Sequence, residues 1–442
     1  MPLSSNNLRI IVGGMVGQFP LGGVAWDYFH YVLALHELGH DVYYHEDTNT
    51  WPYNPVLQQP SDDGSYNAEF IHTFFQKHAP ALADRWHYRL LRDKCYGMTA
   101  EAFGDVVRTC DVYLNVSGVC TLPEDLPARC RKVFLDSDPG YNQMGLQDLL
   151  DAEGPTAKRY VEVAREHDVH LTYAENIHHA DCQLPHADIK WITTRPVVTL
   201  PHWAEARQHR IAPDAAYTTI MTLDLTKEPK KLHYKGVNYY DKRPEFERFI
   251  SLPKRVPNIP LMLAIGNNRS LDIIKENGWQ VVDAGVRSIT PEAYRDFIAE
   301  SAGEWSIAKN VYAATNSGWF SCRTCCYLAA GRPAVVQDTK WSRYVPSGEG
   351  IIAFNTMEEA IAGLEAISSD PEKHQRAAYE IAREYLAADR VMPKLLSDVF
   401  SSQLATRNSH EDRRRRLHHR LSARRDDVAS SQLPPRLRVD GA

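Results

Sequence analysis

Residues 316–338 read N-S-G-W-F-S-C-R-T-C-C-Y-L-A-A-G-R-P-A-V-V-Q-D, and this stretch decides the predicted fold. Small polar residues and a glycine open it, and about ten residues of helical character follow. Gly331 ends the helix as a C′ glycine does, and Arg332-Pro333 turns the chain. Residues 334–336 are a short apolar run, which predicts a buried strand. Loop, helix, glycine and strand together form half of an α/β nucleotide-binding unit.

The start of this helix has the properties of an anion site. The first N–H groups of a helix lack intrahelical acceptors, and the positive end of the helix dipole lies there. A phosphate group fits such a site. Arg323, in the first turn, adds a permanent positive charge and a bidentate hydrogen-bond donor. The alternative interpretation is an ordinary αβ unit with a capped helix, and the segment alone does not separate the two.

The beginning of the chain has a similar organisation. Residues 8–12 (L-R-I-I-V) predict a strand, and a glycine-rich loop follows them. Apolar and aromatic residues recur at helical spacing over 24–38, Gly39 ends that helix, and 41–45 (D-V-Y-Y-H) predicts a second strand. This order is a Rossmann-like opening. Because the loop is not G-x-G-x-x-G, a dinucleotide fingerprint is absent, and we expect the loop to wrap another ligand.

The chain divides into two α/β series, a connector and a tail. Alternating strand and helix patterns predict parallel sheets that helices cover on both faces. The clearest helical pattern inside the first series is 154–166. The predicted segments are an N-terminal Rossmann-like acceptor domain at 1–200, a connector at 201–256, a C-terminal Rossmann-like donor-binding domain at 257–404 and a basic tail at 405–442.

Composition and charge limit the classes of function. The net charge is −6, so the chain as a whole is not built to bind polyanions, although residues 413–416 are all arginine. We expect the tail to be disordered and solubilising, and contact with nucleic acid or acidic lipid is the alternative. The eight cysteines do not form the two spaced pairs of a four-ligand metal site, which predicts reduced thiols, no metal and a cytoplasmic protein. We expect no signal peptide and no membrane span, because no stretch approaches about 20 apolar residues.

Four segments of the second series carry a resemblance to a known family. They read Y-R-D-F-I-A-E-S-A-G-E-W-S-I-A-K-N at 294–310, S-G-W-F-S-C-R at 317–323, Y-L-A-A-G-R-P-A-V-V-Q-D-T at 327–339 and P-S-G-E-G-I-I-A-F at 346–354. With them the chain resembles a bacterial group of GT-B glycosyltransferases over roughly residues 8–400. The resemblance implies an α/β protein of the GT-B fold, with two Rossmann-like domains facing each other across a cleft.

Two positions depart from the pattern of that family. Many nucleotide-sugar transferases have a glutamate five residues before the glycine of the A-G-x-P turn, where it holds the donor ribose; this chain has Cys326 there. Others begin the phosphate loop with a histidine, and the equivalent place here is near Gly318. The resemblance therefore supports the phosphate end of the donor site more firmly than the nucleoside end.

Cations, hydroxyls, glycines and one carboxylate of the second domain are the predicted donor-binding groups. When an anomeric C–O bond to a diphosphate breaks, negative charge grows on the leaving group, and helix amides with cations stabilise it without metal. A solvated loop charge is the alternative for Arg269, and a simple turn is the alternative for Gly348 and Gly350. The predicted set is Arg269, Lys309, Ser317, Gly318, Ser321, Arg323, Asp338, Gly348 and Gly350.

The acceptor side is predicted in the first domain. Asp27 and His30 are one helical turn apart, so one could act as the general base while the other tunes it, and helix-surface residues are the alternative. Gly22 and Gly23 would let the loop approach the donor. Two carboxylates at strand ends complete the set as acceptor contacts, namely Asp138 and Glu175. Asp138 closes a D-S-D segment, for which metal binding is the less favoured interpretation.

These patterns predict a glycosyltransferase. It would move a sugar from a nucleotide-diphosphate sugar, its co-substrate, to a hydroxyl or amine of a small-molecule or glycan acceptor, with no cofactor and no metal. A nucleotide-sugar epimerase of similar fold is the second hypothesis. A non-catalytic nucleotide- or sugar-binding subunit is the third, and the missing ribose glutamate favours it.

Overall fold

The computed structural model describes residues 7–91, 93–151, 164–266 and 271–402. Its larger sheet has the strand order β10-β9-β8-β7-β1-β2-β5-β6, in which only β6 runs antiparallel to its neighbour. These strands are β1 (Arg9–Gly13), β2 (Asp41–Glu46), β5 (Trp86–Leu90), β6 (Lys94–Gly97), β7 (Val112–Val116), β8 (Arg131–Asp136), β9 (Val169–Thr172) and β10 (Trp191–Thr193). A short hairpin, β3 (Tyr53–Asn54) with β4 (Gln59–Pro60), lies outside this sheet.

The second sheet is parallel throughout and has the order β15-β14-β11-β16-β17-β18. Its strands are β11 (Tyr217–Met221), β14 (Leu261–Ile265), β15 (Gln280–Asp283), β16 (Gly303–Ser306), β17 (Ala334–Gln337) and β18 (Ile351–Phe354). The antiparallel hairpin of β12 (Lys231–Tyr234) and β13 (Val237–Tyr240) follows β11.

Helices connect the strands in both halves of the molecule. The first half has α1 (Gly22–Glu37), α2 (Ser65–His78), α3 (Ala100–Arg108), α4 (Tyr141–Asp151) and α5 (Ala204–Gln208). The second half has α6 (Arg243–Phe249), α7 (Leu252–Arg255), α8 (Leu271–Glu276), α9 (Ala284–Arg287), α10 (Pro291–Glu300), α11 (Asn310–Ala314), α12 (Cys322–Ala329), α13 (Met357–Ser369), α14 (Pro371–Ile381) and α15 (Ala388–Ser401).

Both units that the sequence predicts most clearly are present. β1, α1 and β2 form the Rossmann-like opening, and Gly39 ends α1 with a φ of +86° that favours glycine. In the second sheet, α12 ends before Gly331, which has a φ of +65°, and β17 follows with all four residues buried. Local periodicity and glycine placement suffice for these units because their conformation is set by neighbours in sequence.

One strand differs from the sequence-based interpretation. β11 lies inside residues 201–256, which the sequence assigns to a connector, yet it is the third strand of the second sheet and pairs with both β14 and β16. The sequence hides this strand because it is only five residues long and contains two threonines. Its polar side chains are nevertheless buried, since parallel strands in the middle of a sheet are covered on both faces.

Several predictions lie outside the described residues. Arg269 is among them, as is the basic tail beyond residue 402, and most of the predicted helix 154–166 is too. Among the described helices, none is long and apolar enough to cross a membrane.

The end of the ordered chain packs against its beginning. Ala387 forms an isolated parallel bridge with Val198, and α15 then contacts α1 in the first half of the molecule. A single apolar core joins side chains from both halves, for example Phe29 from α1 with Leu328 from α12. The two halves therefore share a buried interface as well as a cleft.

Candidate active site

The start of α12 is an uncapped helix N-terminus at the carboxyl end of the second sheet. Ser321 is the N-cap residue with extended backbone angles (φ −83°, ψ 131°), and its side chain makes no capping hydrogen bond. The first N–H groups of α12 are consequently available to another acceptor. Ser321 itself is buried, with 6% of its surface exposed.

Arg323, in the first turn of α12, is held by two acceptors on the second sheet. Its Nε donates to Glu304 Oε1 at 2.8 Å, and its Nη1 donates to the Ile220 carbonyl at 2.8 Å. Glu304 is fully buried. Within the described part of the chain, Nη2 has no protein acceptor. The guanidinium is thus fixed in orientation while one of its donors stays available for an anion.

Lys242, immediately before α6, is a site residue that the sequence did not indicate. It is half-buried, and its ammonium group makes no hydrogen bond or ion pair with any residue that the structure describes. Burial, followed by repulsion from Arg323 and Lys309, lowers its pKa to about 7. Two cations therefore meet near the α12 N-terminus. No local motif marks Lys242, because only the folding of the second sheet brings it to Arg323.

Lys309 reaches across to the first half of the molecule. Its Nζ donates to both Oδ1 and Oδ2 of Asp138 at 2.8 Å, and it lies over the rings of Tyr141 and Tyr312 at 5.1 and 5.3 Å. The structure thus brings together two predicted site residues, but they bind each other: Lys309, predicted to bind phosphate, pairs with Asp138, predicted to bind the acceptor. Lys309 therefore has a carboxylate partner, whereas Lys242 has none among the described residues.

Ser317 and Gly318 form a contact between the two halves. The Ser317 carbonyl accepts a hydrogen bond from the Asn176 N–H at 3.0 Å. Gly318 has a φ of +79°, and a Cβ there would lie 2.5 Å from the Asn176 backbone nitrogen. The glycine is required for this close approach of two backbones. The structure therefore places both residues in an interface and not at the cations.

Three other predicted donor residues are also engaged elsewhere. Asp338 accepts hydrogen bonds from the Lys340 and Ser342 N–H groups and from the Ser342 hydroxyl, so it closes its own turn. Gly348 and Gly350 precede β18, and the Gly350 carbonyl accepts from the Ala334 N–H at the amino end of β17. This edge of the sheet is opposite the α12 N-terminus, because α12 runs from the carboxyl edge to the amino edge.

Asp27 presents a carboxylate to the α12 N-terminus from the first half. It is exposed on α1, yet it lies in a confined space among protein atoms. This desolvation raises its pKa to about 6, and the Cys322 thiol and the Arg323 charge oppose the rise. Both opposing groups belong to the first turn of α12. The position predicted for a general base is thus beside the predicted anion site.

His30 lies in the buried interface, which corrects the prediction that it shares a site with Asp27. Only 2% of its surface is exposed. Its Nδ1 lies 2.8 Å from Thr199 Oγ1, and its Nε2 accepts from Trp203 Nε1 at 3.4 Å. Burial holds its pKa well below the usual range. Residues one turn apart face different surroundings here, because α1 is covered on almost every side.

Gly22 and Gly23 contact the second half of the molecule directly. The Gly22 N–H donates to the Ser288 carbonyl at 2.6 Å, and a Cβ on Gly22 would lie 2.1 Å from the Thr290 carbonyl oxygen. A Cβ on Gly23 would lie 3.0 Å from the Tyr294 ring. The predicted loop for ligand approach is therefore a close contact between α1 and the segment that precedes α10.

The remaining carboxylates have separate partners. Glu175 Oε1 accepts from Arg195 Nη2 at 2.6 Å, and burial raises the pKa of Glu175. Asp136 accepts from Asn142, Gln143 and Thr172, whereas Asp138 accepts from Lys309. The two acids of the D-S-D segment therefore serve different side chains, and the described residues contain no cluster of metal-ligating groups.

Comparison with solved structures identifies the fold. No protein-family model and no curated protein sequence matches the chain. An alpha-glucosyltransferase solved with UDP and a 13-mer DNA with a central A:G mismatch matches 90% of this chain and 100% of its own, at 11% identity and a TM-score of 0.56. Anabaena Alr3699/HepE, solved with UDP and glucose, matches 89% of this chain and 100% of its own, at 10% identity and a TM-score of 0.50.

Sucrose-phosphate synthase from Thermosynechococcus elongatus is another similar structure. It covers 89% of this chain and 100% of its own, at 11% identity and a TM-score of 0.50. Likeness at such low identity shows the fold. The chain has the GT-B fold, with two Rossmann-like domains that face each other across a cleft, as the sequence resemblance implied.

Proposed function

We propose that this protein is a glycosyltransferase that uses a nucleotide-diphosphate sugar and transfers the sugar to a hydroxyl or amine without metal. One observation carries the proposal. Lys242 is half-buried within electrostatic reach of Arg323, which lies in the first turn of an uncapped helix, and its ammonium has no hydrogen-bond or ion-pair partner in the described chain. Burial and the neighbouring cations disfavour the charged form of Lys242 more than the Glu304 and Asp138 carboxylates favour it, so the arrangement favours an additional anionic ligand.

The diphosphate of the donor fits this group of positive charges. As the anomeric C–O bond breaks, its electron pair passes to the diphosphate, and negative charge grows there. The α12 N–H groups, Arg323 Nη2 and Lys242 can each donate to that charge. Protein cations supply the stabilisation that a metal ion would otherwise provide, which supports a metal-independent reaction.

Asp27 is the group that would take the proton of the acceptor. A general base works best when its pKa lies near the operating pH, and desolvation by the surrounding protein atoms raises the pKa of Asp27 to about 6. In the proposed step the acceptor O–H or N–H proton passes to Asp27. The acceptor atom then bonds to the anomeric carbon, and the bond to the diphosphate breaks.

The nucleoside and the acceptor need a direct test. Cys326, at the place of the ribose-binding glutamate, is 3% exposed and lies 3.9 Å from His30 Nε2, so it does not offer the ribose a polar contact. Two of the similar structures were solved with UDP. UDP is therefore the first probe in a panel with GDP, ADP and dTDP, and sugars and small hydroxylated molecules are the first acceptors.

A charge-removal experiment tests the proposal. We expect Lys242→Gln to weaken nucleotide-diphosphate binding, measured by calorimetry, by at least about tenfold, because one charge-assisted hydrogen bond is lost. The matched control is Lys275→Gln, an exposed lysine on α8.

The outcomes separate the competing functions. Equal affinity in the two variants would remove Lys242 from the site. If the protein binds a nucleotide sugar but neither transfers nor hydrolyses the sugar with any acceptor, the non-catalytic hypothesis replaces the enzyme.

A further inference from the structure

Three hydroxyl groups meet at the carboxyl end of the first sheet. The Tyr28 hydroxyl, on α1, donates to Ser117 Oγ at 2.9 Å, and Ser117 Oγ lies 2.6 Å from Ser137 Oγ. Ser117 directly follows β7, and Ser137 directly follows β8. These three residues are called the hydroxyl cluster below. Neither the proposed proton transfer nor the proposed phosphate contacts use it.

The hydroxyl cluster faces the second domain. The Ser137 carbonyl accepts a hydrogen bond from Trp319 Nε1 at 3.0 Å, and Trp319 precedes α12. Tyr28 is the sequence neighbour of Asp27 and lies within electrostatic reach of Cys322, in the first turn of α12. The cluster is consequently near both the proposed base and the proposed diphosphate site.

The backbone under the cluster is strained. Ser117 has a φ of +60° and Gly118 a φ of +61°, so two successive residues are left-handed. A serine in this region is unfavourable, and such strain concentrates at ligand sites. A Cβ on Gly118 would lie 2.0 Å from the Phe134 ring, so glycine is required there. The strained turn holds the Ser117 hydroxyl against Ser137.

The two serines retain unused hydrogen-bonding capacity. A hydroxyl can donate one hydrogen bond and accept two. Ser137 Oγ has one side-chain partner and Ser117 Oγ has two, and both residues are half-buried. An apolar group placed over them would remove water without replacing its hydrogen bonds, which is costly. A ligand with several hydroxyl groups would replace them.

We infer that the hydroxyl cluster is a subsite for the hydroxyl groups of a sugar ring, a conclusion that rests on the proposed function. A sugar attached to a diphosphate at the α12 N-terminus would lie beside Asp27 and the cluster. The sugar ring bound there belongs either to the donor or to a sugar acceptor, and both present the same chemistry. Ser117 and Ser137 would then set specificity for the ring.

A network-removal variant tests the subsite. Tyr28→Phe/Ser117→Ala/Ser137→Ala removes all three hydroxyls together, so no member is left without its partner inside the protein. The matched control is Tyr31→Phe/Tyr173→Phe, which removes a neighbouring pair of bonded tyrosine hydroxyls that are each 1% exposed. The melting temperature of each variant establishes that it is folded.

Two measurements distinguish the source of the sugar. The first is the affinity for UDP compared with UDP-glucose; the second is the KM for glucose and myo-inositol as acceptors. If the donor sugar binds at the cluster, the triple variant loses about tenfold in UDP-glucose affinity and nothing in UDP affinity. If an acceptor sugar binds there, only the acceptor KM rises, by a similar factor.

Other results overturn the inference. A folded triple variant that matches the control in both measurements would show that the hydroxyl cluster is structural, while the proposed function stands. A wild-type protein that binds no nucleotide or nucleotide sugar from the panel would instead refute the proposed function and the subsite with it.

Discussion

The two walls of the cleft are built alike but carry opposite chemistry. In each wall a helix N-terminus follows the carboxyl end of a parallel strand: α1 follows β1 through a loop, and α12 follows β16 after the short helix α11 and a loop. The first wall presents the Asp27 carboxylate and the hydroxyl cluster. The second presents the uncapped N-terminus of α12 with Arg323 and Lys242.

This difference separates two tasks that one wall could not perform together. A base works as a carboxylate with a raised pKa, whereas a leaving-group diphosphate needs permanent positive charge. Cations beside the carboxylate would lower its pKa, as Arg323 does partly for Asp27. The comparison predicts that removing the base from the first wall alters turnover and that removing a cation from the second wall alters nucleotide binding.

The largest expected effect follows from Asp27→Asn. We expect kcat to fall by about 10²- to 10⁴-fold, since an amide cannot accept the acceptor proton. Nucleotide affinity is expected to stay within about twofold, because the proposed diphosphate site is built by the other wall. Single-turnover kinetics and calorimetry measure the two quantities separately.

Asp105→Asn, an exposed change on α3, is the control for this experiment. A normal kcat in Asp27→Asn would exclude Asp27 as the base. A large loss of nucleotide affinity in that variant would break the separation between the walls.

Removing Arg323 is expected to have the next largest effect. Arg323→Ala leaves the fully buried Glu304 without its cation, so we expect a loss of about 3 kcal/mol in the free energy of unfolding. Urea unfolding followed by circular dichroism measures it.

The double variant Arg323→Leu/Glu304→Leu separates the two roles of Arg323. We expect it to recover stability, because no buried charge remains, but not nucleotide affinity. Recovery of both would mean that Arg323 only supports the fold.

The two walls also predict a pH dependence with two limbs. Asp27, with a pKa of about 6, is a base only above that pH, so kcat/KM should fall tenfold per pH unit below it. Lys242, with a pKa of about 7, is a cation only below that pH, so donor binding should weaken as the pH rises. A kcat/KM profile of wild type, Asp27→Asn and Lys242→Gln checks this.

Each variant should lose its own limb of the profile. Asp27→Asn is expected to remove the acid limb and Lys242→Gln the alkaline limb. An acid limb that persists in Asp27→Asn would assign it to another group.

The smallest expected effect concerns the ion pair that crosses the cleft. Asp138→Asn releases Lys309; because the Asp138 and Lys309 side chains are 46% and 30% exposed, stability should change by less than about 1 kcal/mol. We expect nucleotide affinity to rise by about threefold at low salt, because the released cation strengthens the positive wall. Calorimetry at two salt concentrations measures it, and an unchanged affinity would show that Lys309 does not reach the anion.

Much of the fold could be predicted from short segments. The β1–α1–β2 unit and the α12–Gly331–β17 unit follow from apolar periodicity and glycine positions. β11 could not be recognised in this way, because its identity as a strand depends on β14 and β16 pairing on either side. Short strands in the middle of a sheet are defined by partners that are distant in sequence.

The candidate site was predictable only where it depends on a single helix. The anion site at α12 and the position of Asp27 on α1 follow from local sequence, and their roles stay predictions. The burial of His30, the engagement of Gly22 by Thr290 and the pairing of Lys309 with Asp138 follow from the contact between two domains. No local pattern indicates these.

The sequence by itself therefore determined the two Rossmann-like units and the helix N-terminus that suits a phosphate, because apolar periodicity and the glycine that ends each helix are local features of the chain. Only the tertiary structure decided which side chains meet in the cleft. It brought Lys242 within electrostatic reach of Arg323, it brought Asp27 to the first turn of α12, and it joined Ser117 to Ser137. The physical reason is that burial and charge at each of these residues come from neighbours far away along the chain.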